Sequence, residues 1–333
     1  MGTAFVPIPG FVDLQVNGFR GVDFSSPDLR KRDFVEACRH LLASGTAAFL
    51  PTIITSPPEV YERNLRLMSD AMRDDAFQGA LLGIHAEGPF ISAEPGAVGA
   101  HQPQWVQAPD PAFLDKMIEW AGGRLRLLTV APELDDAHRL IAHAVRQGIV
   151  VSVGHSLADA SALLEASQAG ASALTHFGNG VPENLPRHPN PLWAGLANDR
   201  LWAMLITDGH HLPAELIKTA IRTKGVDHVV VTSDAAPPTG LPPGTYETLG
   251  NTAVLDEHGK LYNPRKGCLV GSSATMLQCM NYLASLGLVT LDDLLAMGYY
   301  NPLKLLDIDT ASIRLRTRLS YCTTTQLFVV ESG

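Results

Sequence analysis

Ile84-His85-Ala86-Glu87-Gly88-Pro89-Phe90 decides the fold of this 333-residue chain. The apolar run Ala80-Leu81-Leu82-Gly83-Ile84 leading into it predicts a buried strand that ends in a histidine and a carboxylate and is stopped by Gly-Pro. A carboxylate at the lip of a buried strand is costly unless it is paired or bound to a metal. Four more apolar runs end the same way. Ile149 to Val153 leads into Gly154-His155, Ala173-Leu174 into Thr175-His176, Trp202 to Ile206 into Asp208-Gly209-His210-His211, and Val229 to Val231 into Ser233-Asp234. Repeated strand-then-ligand endings are the pattern of a parallel barrel with its active site at one rim.

Working outward, Phe11 to Gly18 reads as a first strand and Thr46 to Ile54, β-branched and apolar, as a second. Leu125 to Val130 supplies a fourth, after the Glu87 strand. Helical spacing predicts helices over Leu29 to Ala43, Ser56 to Met72 with Ser56 as cap, Pro111 to Trp120, Leu134 to Gln147, Leu157 to Ala169 and Pro213 to Thr223. Eight strands alternating with helices define an α/β chain folded as a (β/α)8 TIM-type barrel. No G-x-G-x-x-G follows an early strand, which leaves a doubly wound sheet without support. Beyond the eighth strand, Tyr246 to Leu261 reads as a hairpin turning at Asp256-Glu257-His258-Gly259, and Ser272 to Leu286 and Leu291 to Met297 as helices. The tail, Ile313 to Val330, alternates like strands with no barrel position to join.

Composition narrows the partners. A net charge of −9 argues against nucleic acid and anionic membrane surfaces. The four cysteines, Cys38, Cys268, Cys279 and Cys322, form no C-x-x-C pair and fit free thiols in a reducing cytoplasm. No apolar run reaches the roughly 18 residues of a membrane span.

Glu87, His155 and His176 place one carboxylate and two imidazoles at strand ends on one rim. Three such ligands with room for a water make a catalytic metal site. Asp234, at the end of the eighth strand, is placed to accept a proton from water and return it to a leaving amine.

At this point the chain resembles a known family. Pro9 to Gly18 is similar to the first-strand signature of the amidohydrolase superfamily. His85-Ala86-Glu87-Gly88-Pro89-Phe90, Gly154-His155-Ser156, Thr175-His176-Phe177-Gly178-Asn179, Asp208-Gly209-His210-His211, Thr232-Ser233-Asp234-Ala235 and Gly271-Ser272-Ser273 resemble the N-acetylglucosamine-6-phosphate deacetylase family, in order, over residues 9–305. The resemblance implies Glu87, His155 and His176 as metal ligands, Asp234 as general base and acid, and His101 as a histidine that polarises the acetyl carbonyl. It implies Ala100, His101, Asn179, Gly180, Arg187 and His211 as substrate contacts, Arg187 on the phosphate. The activity implied is hydrolysis of the acetamide of N-acetylglucosamine 6-phosphate. The alternatives are another acetamido sugar or small amide, or a catalytically impaired barrel that binds sugar phosphate.

Many amidohydrolases carry H-x-H on the first strand, where this chain has Gln15 and Asn17. Amides are poor ligands beside imidazoles, so one divalent metal per chain is expected, zinc first, with iron or another divalent metal as alternatives. The chain is expected in the cytoplasm as a homodimer acting on an amino-sugar phosphate. The barrel is assigned to 9–305, and 1–8 with 306–333 to a truncated small β appendage, whose tail strand Gln326 to Val330 is expected to lack its partner.

Overall fold

The computed structural model describes residues 5–331. Eight parallel strands form the expected barrel: Phe11–Val16, Thr46–Ile54, Ile84–Glu87, Leu125–Val130, Val150–Val153, Ala173–Leu174, Trp202–Ile206 and Val229–Thr232, each beside the next. Burial on both faces explains why these strands read as continuous apolar runs; all nine residues of Thr46–Ile54 are buried. Side chains alternate across each strand. One set, including Phe49, Ile53, Ala86, Leu128, Val151, Leu205 and Val231, packs against the outer helices. The other, Leu14, Leu50, Leu127, Met204 and Val230, fills the lower barrel, with Tyr299 and Leu303 packed on the same cluster.

The helices Lys31–Ala43, Pro58–Ala71, Pro111–Trp120, Ala137–Arg146, Ala160–Ala169, Pro191–Ala197, Ala214–Lys224 and Met276–Ser285 follow the strands in turn. Between the first and eighth strands the backbone contact is slight: a bridge from Val16 to Ala235, and the Asn17 amide donating to Ala235 O at 2.8 Å. Side chains complete this seam. The buried carboxylate of Asp13 accepts from Thr232 Oγ1 (2.8 Å), from the Ser233 amide (3.0 Å) and from the Ser233 hydroxyl.

Several boundaries differ from expectation for local reasons. The third strand begins at Ile84 rather than Ala80, so Glu87 lies within it. Gly83 sits at φ +150°, where an added Cβ would lie 2.1 Å from Arg126 Cγ; this break leaves Leu81 with only an isolated bridge to Phe49. The second helix is not capped by Ser56, whose hydroxyl donates to Ile54 O; Pro57 occupies the cap position. The final barrel helix starts at Met276, fixed by a capping box of Thr275 and Gln278.

The predicted hairpin is a four-stranded antiparallel sheet, Gly244–Thr248, Asn251–Leu255, Leu261–Asn263 and Cys268–Leu269. Its small core of Leu249, Ala253, Leu255, Leu261 and Val270 packs on Ile54 and Ala236. The tail strand is also partnered, contrary to expectation. Phe5–Ile8, Leu319–Cys322 and Leu327–Val330 form one antiparallel sheet, with Phe5 opposite Cys322 and Cys322 opposite Leu327. Phe328 anchors it to the barrel through an edge-on contact with Phe11 at 5.0 Å. Residues 1–4 and 332–333, also assigned to the appendage, lie outside the described residues.

Candidate metal centre and active-site cavity

Glu87, His155 and His176 meet at the strand ends, all buried, with their ligand atoms within 4.8 Å of one another. Glu87 Oε1 lies 3.1 Å from His155 Nε2 and 2.8 Å from His176 Nε2. The two imidazole nitrogens are 3.1 Å apart. His155 Nδ1 lies 2.7 Å from Ala97 O, an acceptor only. It therefore carries the proton, and the Nε2 lone pair faces Glu87. A histidine oriented this way by a backbone carbonyl is the usual outer support of a metal ligand. Among the described residues, His176 Nδ1 is buried without a partner. Two buried imidazoles converging on one carboxylate oxygen fit a divalent metal.

Burial pushes the Glu87 carboxyl up, but the imidazoles of His155 and His176 beside it outweigh burial and hold its pKa well below the usual range. Asp234 behaves oppositely: burial first, then the Glu87 charge, raise it to about 8. A dication held by Glu87 would oppose both effects and favour ionised Asp234.

The first-strand amides serve these two carboxylates. Gln15 Nε2 donates to Glu87 Oε1 at 2.8 Å, and Asn17 Nδ2 to Asp234 Oδ1 at 2.7 Å. His155, His176 and Asp234 sit at φ +50°, +30° and +53°, the left-handed region that L-residues rarely enter. The strand ends curl there, turning the side chains inward over the barrel mouth. Gly180, at φ +64°, leaves room for one of them: a Cβ would come 3.0 Å from His155 Nδ1.

His101 reaches the same centre from the loop after the third strand. Its Nδ1 accepts from the Thr55 amide at 3.3 Å, so Nε2 carries the proton. That Nε2 lies 3.1 Å from His155 Nε2 and 3.7 Å from Glu87 Oε2. Burial, then the neighbouring His155, push its pKa down to about 3. His101 is thus a neutral N–H donor aimed at the space beside the triad. His211 is held through Nδ1 by Asp208 Oδ2 at 2.8 Å, and Ser272 steadies that carboxylate.

A cavity of about 330 Å³ opens above the centre. Asn17, Glu87, Ala100, His101, His155, His176, Asn179, Gly180, His211 and Asp234 all line it. Gln15 lies beneath, on Glu87. Arg187 is exposed in its loop and does not line the cavity. Its loop is folded on itself, with Asn190 Nδ2 donating to Pro186 O and Arg187 O. His85 points one layer below the site, between Leu14 O (3.1 Å) and Thr129 Oγ1 (2.8 Å). The sequence reading missed one wall of the cavity: Leu249 and Lys266 to Leu269, from the four-stranded insertion.

A (β/α)8 barrel with a Glu-His-His centre and an aspartate at the end of strand eight defines an amidohydrolase. No protein-family model matches the chain. It is 36% identical over 313 residues to a zebrafish (Danio rerio) N-acetylglucosamine-6-phosphate deacetylase, covering 90% of this chain and 75% of that protein. An N-acetylgalactosamine-6-phosphate deacetylase of Escherichia coli O157:H7 is 30% identical over 90% of this chain and 78% of its own. The structure superposes at a TM-score of 0.86 and 26% identity on a variant of the Mycobacterium smegmatis deacetylase in complex with N-acetyl-D-glucosamine-6-phosphate, covering 98% of this chain and 86% of that one. The chain belongs to the N-acetylglucosamine-6-phosphate deacetylase family.

Proposed function

We infer that this chain hydrolyses the acetamide of N-acetylglucosamine 6-phosphate to glucosamine 6-phosphate and acetate. The observation that carries this is the convergence, in one cavity, of the Glu87–His155–His176 centre with Asp234, itself held by Asn17. Glu87, His155 and His176 would hold one divalent metal; the mixed carboxylate and imidazole set suits zinc. When bound, the metal supplies a nucleophilic water of lowered pKa and polarises the carbonyl.

The chain's own groups do the rest. Asp234 takes a proton from the attacking water and delivers it to the departing C2 nitrogen, so the amide C–N bond breaks with an amine as leaving group. Asn17 keeps that carboxylate aimed. His101 donates its Nε2–H to the carbonyl oxygen as negative charge develops there, and its low pKa keeps it neutral through the cycle. Asn179, Gly180, Ala100 and His211 form the sugar-facing wall.

Acetate release from N-acetylglucosamine 6-phosphate by the metal-loaded protein tests the reading; no release above a chelated control refutes it. A second reading, the galacto epimer, is favoured by the E. coli relative's name. Comparing kcat/KM for the two epimers decides between them.

Among the described residues all four cysteines are free, and no helix is long and apolar enough to cross a membrane, which suits a cytoplasmic enzyme. Trp193 is 57% exposed and Leu164 49%, surface that a second copy in a homodimer would cover. Light scattering on the purified protein measures that.

A further inference from the structure

We propose that Lys266 is the cation that receives the substrate's phosphate within this chain's own cavity; the proposal rests on the deacetylase reading above. A sugar phosphate carries close to two negative charges at neutral pH. Charges on the cavity wall are few. Glu87, Asp234 and Glu183 are acidic, and Lys266 is the one lysine or arginine among the described lining residues. Among the described residues no carboxylate lies within 4.0 Å of its ammonium, which leaves that charge available to a ligand.

Depth in the cavity agrees with this role. C2 and C6 lie on opposite sides of a hexose ring. With the acetamide at Glu87, 3% exposed on the floor, the phosphate is carried toward the mouth. Lys266 is exposed and stands at that mouth. Glu183, also on the lining, disfavours the side of the mouth formed by the loop after strand six.

The backbone that carries Lys266 is fixed rather than free. Asn263 Oδ1 accepts from the Arg265 amide (2.9 Å) and the Lys266 amide (3.1 Å), and Asn263 O accepts from the Gly267 amide (2.9 Å). Asn263 Nδ2 donates to Asn251 Oδ1 at 3.1 Å, and Asn251 Nδ2 donates to Ala100 O at 2.8 Å. The turn is thereby tied to the residue before His101, so the cationic end and the chemical end of the cavity are held in register. Lysine is a compact point charge, suited to a phosphate that approaches from solvent without a forked geometry.

The test compares wild type, Lys266→Ala, Lys266→Arg and Arg187→Ala on N-acetylglucosamine 6-phosphate and on N-acetylglucosamine. Lys266→Ala should raise KM for the phosphorylated sugar roughly tenfold, the scale of one lost charge-assisted contact, with kcat little changed. KM for the unphosphorylated sugar should not move, and Lys266→Arg should recover most of the loss. The wild-type KM for the phosphorylated sugar should rise with added salt, and the Lys266→Ala value far less. Equal effects on both sugars, no effect, or a phosphate-selective loss confined to Arg187→Ala would each overturn the proposal. Calorimetric binding of N-acetylglucosamine 6-phosphate separates the two levels. Binding that weakens in Lys266→Ala without any acetate release refutes the deacetylase reading and leaves the phosphate contact standing. Absence of binding refutes both.

Discussion

Replacing Asp13 tests how the barrel is closed beneath the site. Asp13, Thr232 and Ser233 are each 0% exposed. Oδ1 of Asp13 accepts from Thr232 Oγ1 at 2.8 Å, the Ser233 amide at 3.0 Å and the Gln15 amide at 3.3 Å, while Oδ2 takes the Ser233 hydroxyl. Asp13→Ala strands the two hydroxyls and the Ser233 amide. Each orphaned buried donor costs about 1–3 kcal/mol. Part of this returns, because burial already raises the Asp13 pKa and so disfavours its charge. The net loss expected is about 3–5 kcal/mol, the scale for breaking a buried charged network. Asp13→Asn keeps the Oδ1 bonds and gives up only the Oδ2 contact, a loss of about 1–2 kcal/mol. Because Ser233 precedes Asp234, turnover should fall in the same order, alanine far below asparagine. Equilibrium urea unfolding and kcat per folded molecule measure both. An alanine variant within about 0.5 kcal/mol of wild type, or an asparagine variant falling as far as alanine, would refute the seam argument.

Asp234→Asn should retain metal and the Asn17 contact while kcat falls by about two or more orders of magnitude; near-normal turnover removes Asp234 from the mechanism. Elemental analysis should find one tightly held metal per chain, since the amides of Gln15 and Asn17 are poor ligands beside imidazoles; two would contradict the assignment. Glu87→Gln should lower metal affinity and abolish turnover, checked by dialysis against a chelator of known affinity. Burial raises Asp23 to about 6, against hydrogen bonds from the Ser25 and Leu249 amides. Its folded form binds the proton more tightly than the unfolded one, so its contribution to stability falls as pH rises from about 4 to about 6. Asp23→Asn should flatten that part of the urea-midpoint profile, and an unchanged slope would show that other groups set it.

The barrel was legible because its chemistry sits where apolar runs stop. His155, His176 and Asp234 each follow such a run, and no long-range information is needed to see that. Edges were harder. The third strand starts only after Gly83 because a neighbouring side chain, Arg126, lies where an earlier residue would need its Cβ. The tail strand's partner, Leu319–Cys322, was missed because the turn between them, Thr323 to Gln326, has no glycine, proline or asparagine to mark a hairpin, and that strand's other partner, Phe5–Ile8, lies almost the whole chain away. Lys266 escaped for a related reason: nothing local to Asn263–Gly267 says that its turn hangs over a rim built from other strands. Asp13 reads as one more residue of a buried strand until Ser233 is seen across the seam.

The left-handed turn at Asp234 sets endurance against turnover. This residue bears a backbone conformation costing on the order of 1 kcal/mol and a carboxyl that burial and Glu87 both penalise. Asparagine tolerates that conformation and keeps the Asn17 contact without the charge; glycine removes the backbone cost outright. Both changes should let the metal-free chain survive hotter conditions while ending its chemistry. A library of random variants ranked by heat resistance alone would therefore drift toward inactive molecules, and position 234 is where that drift should first appear.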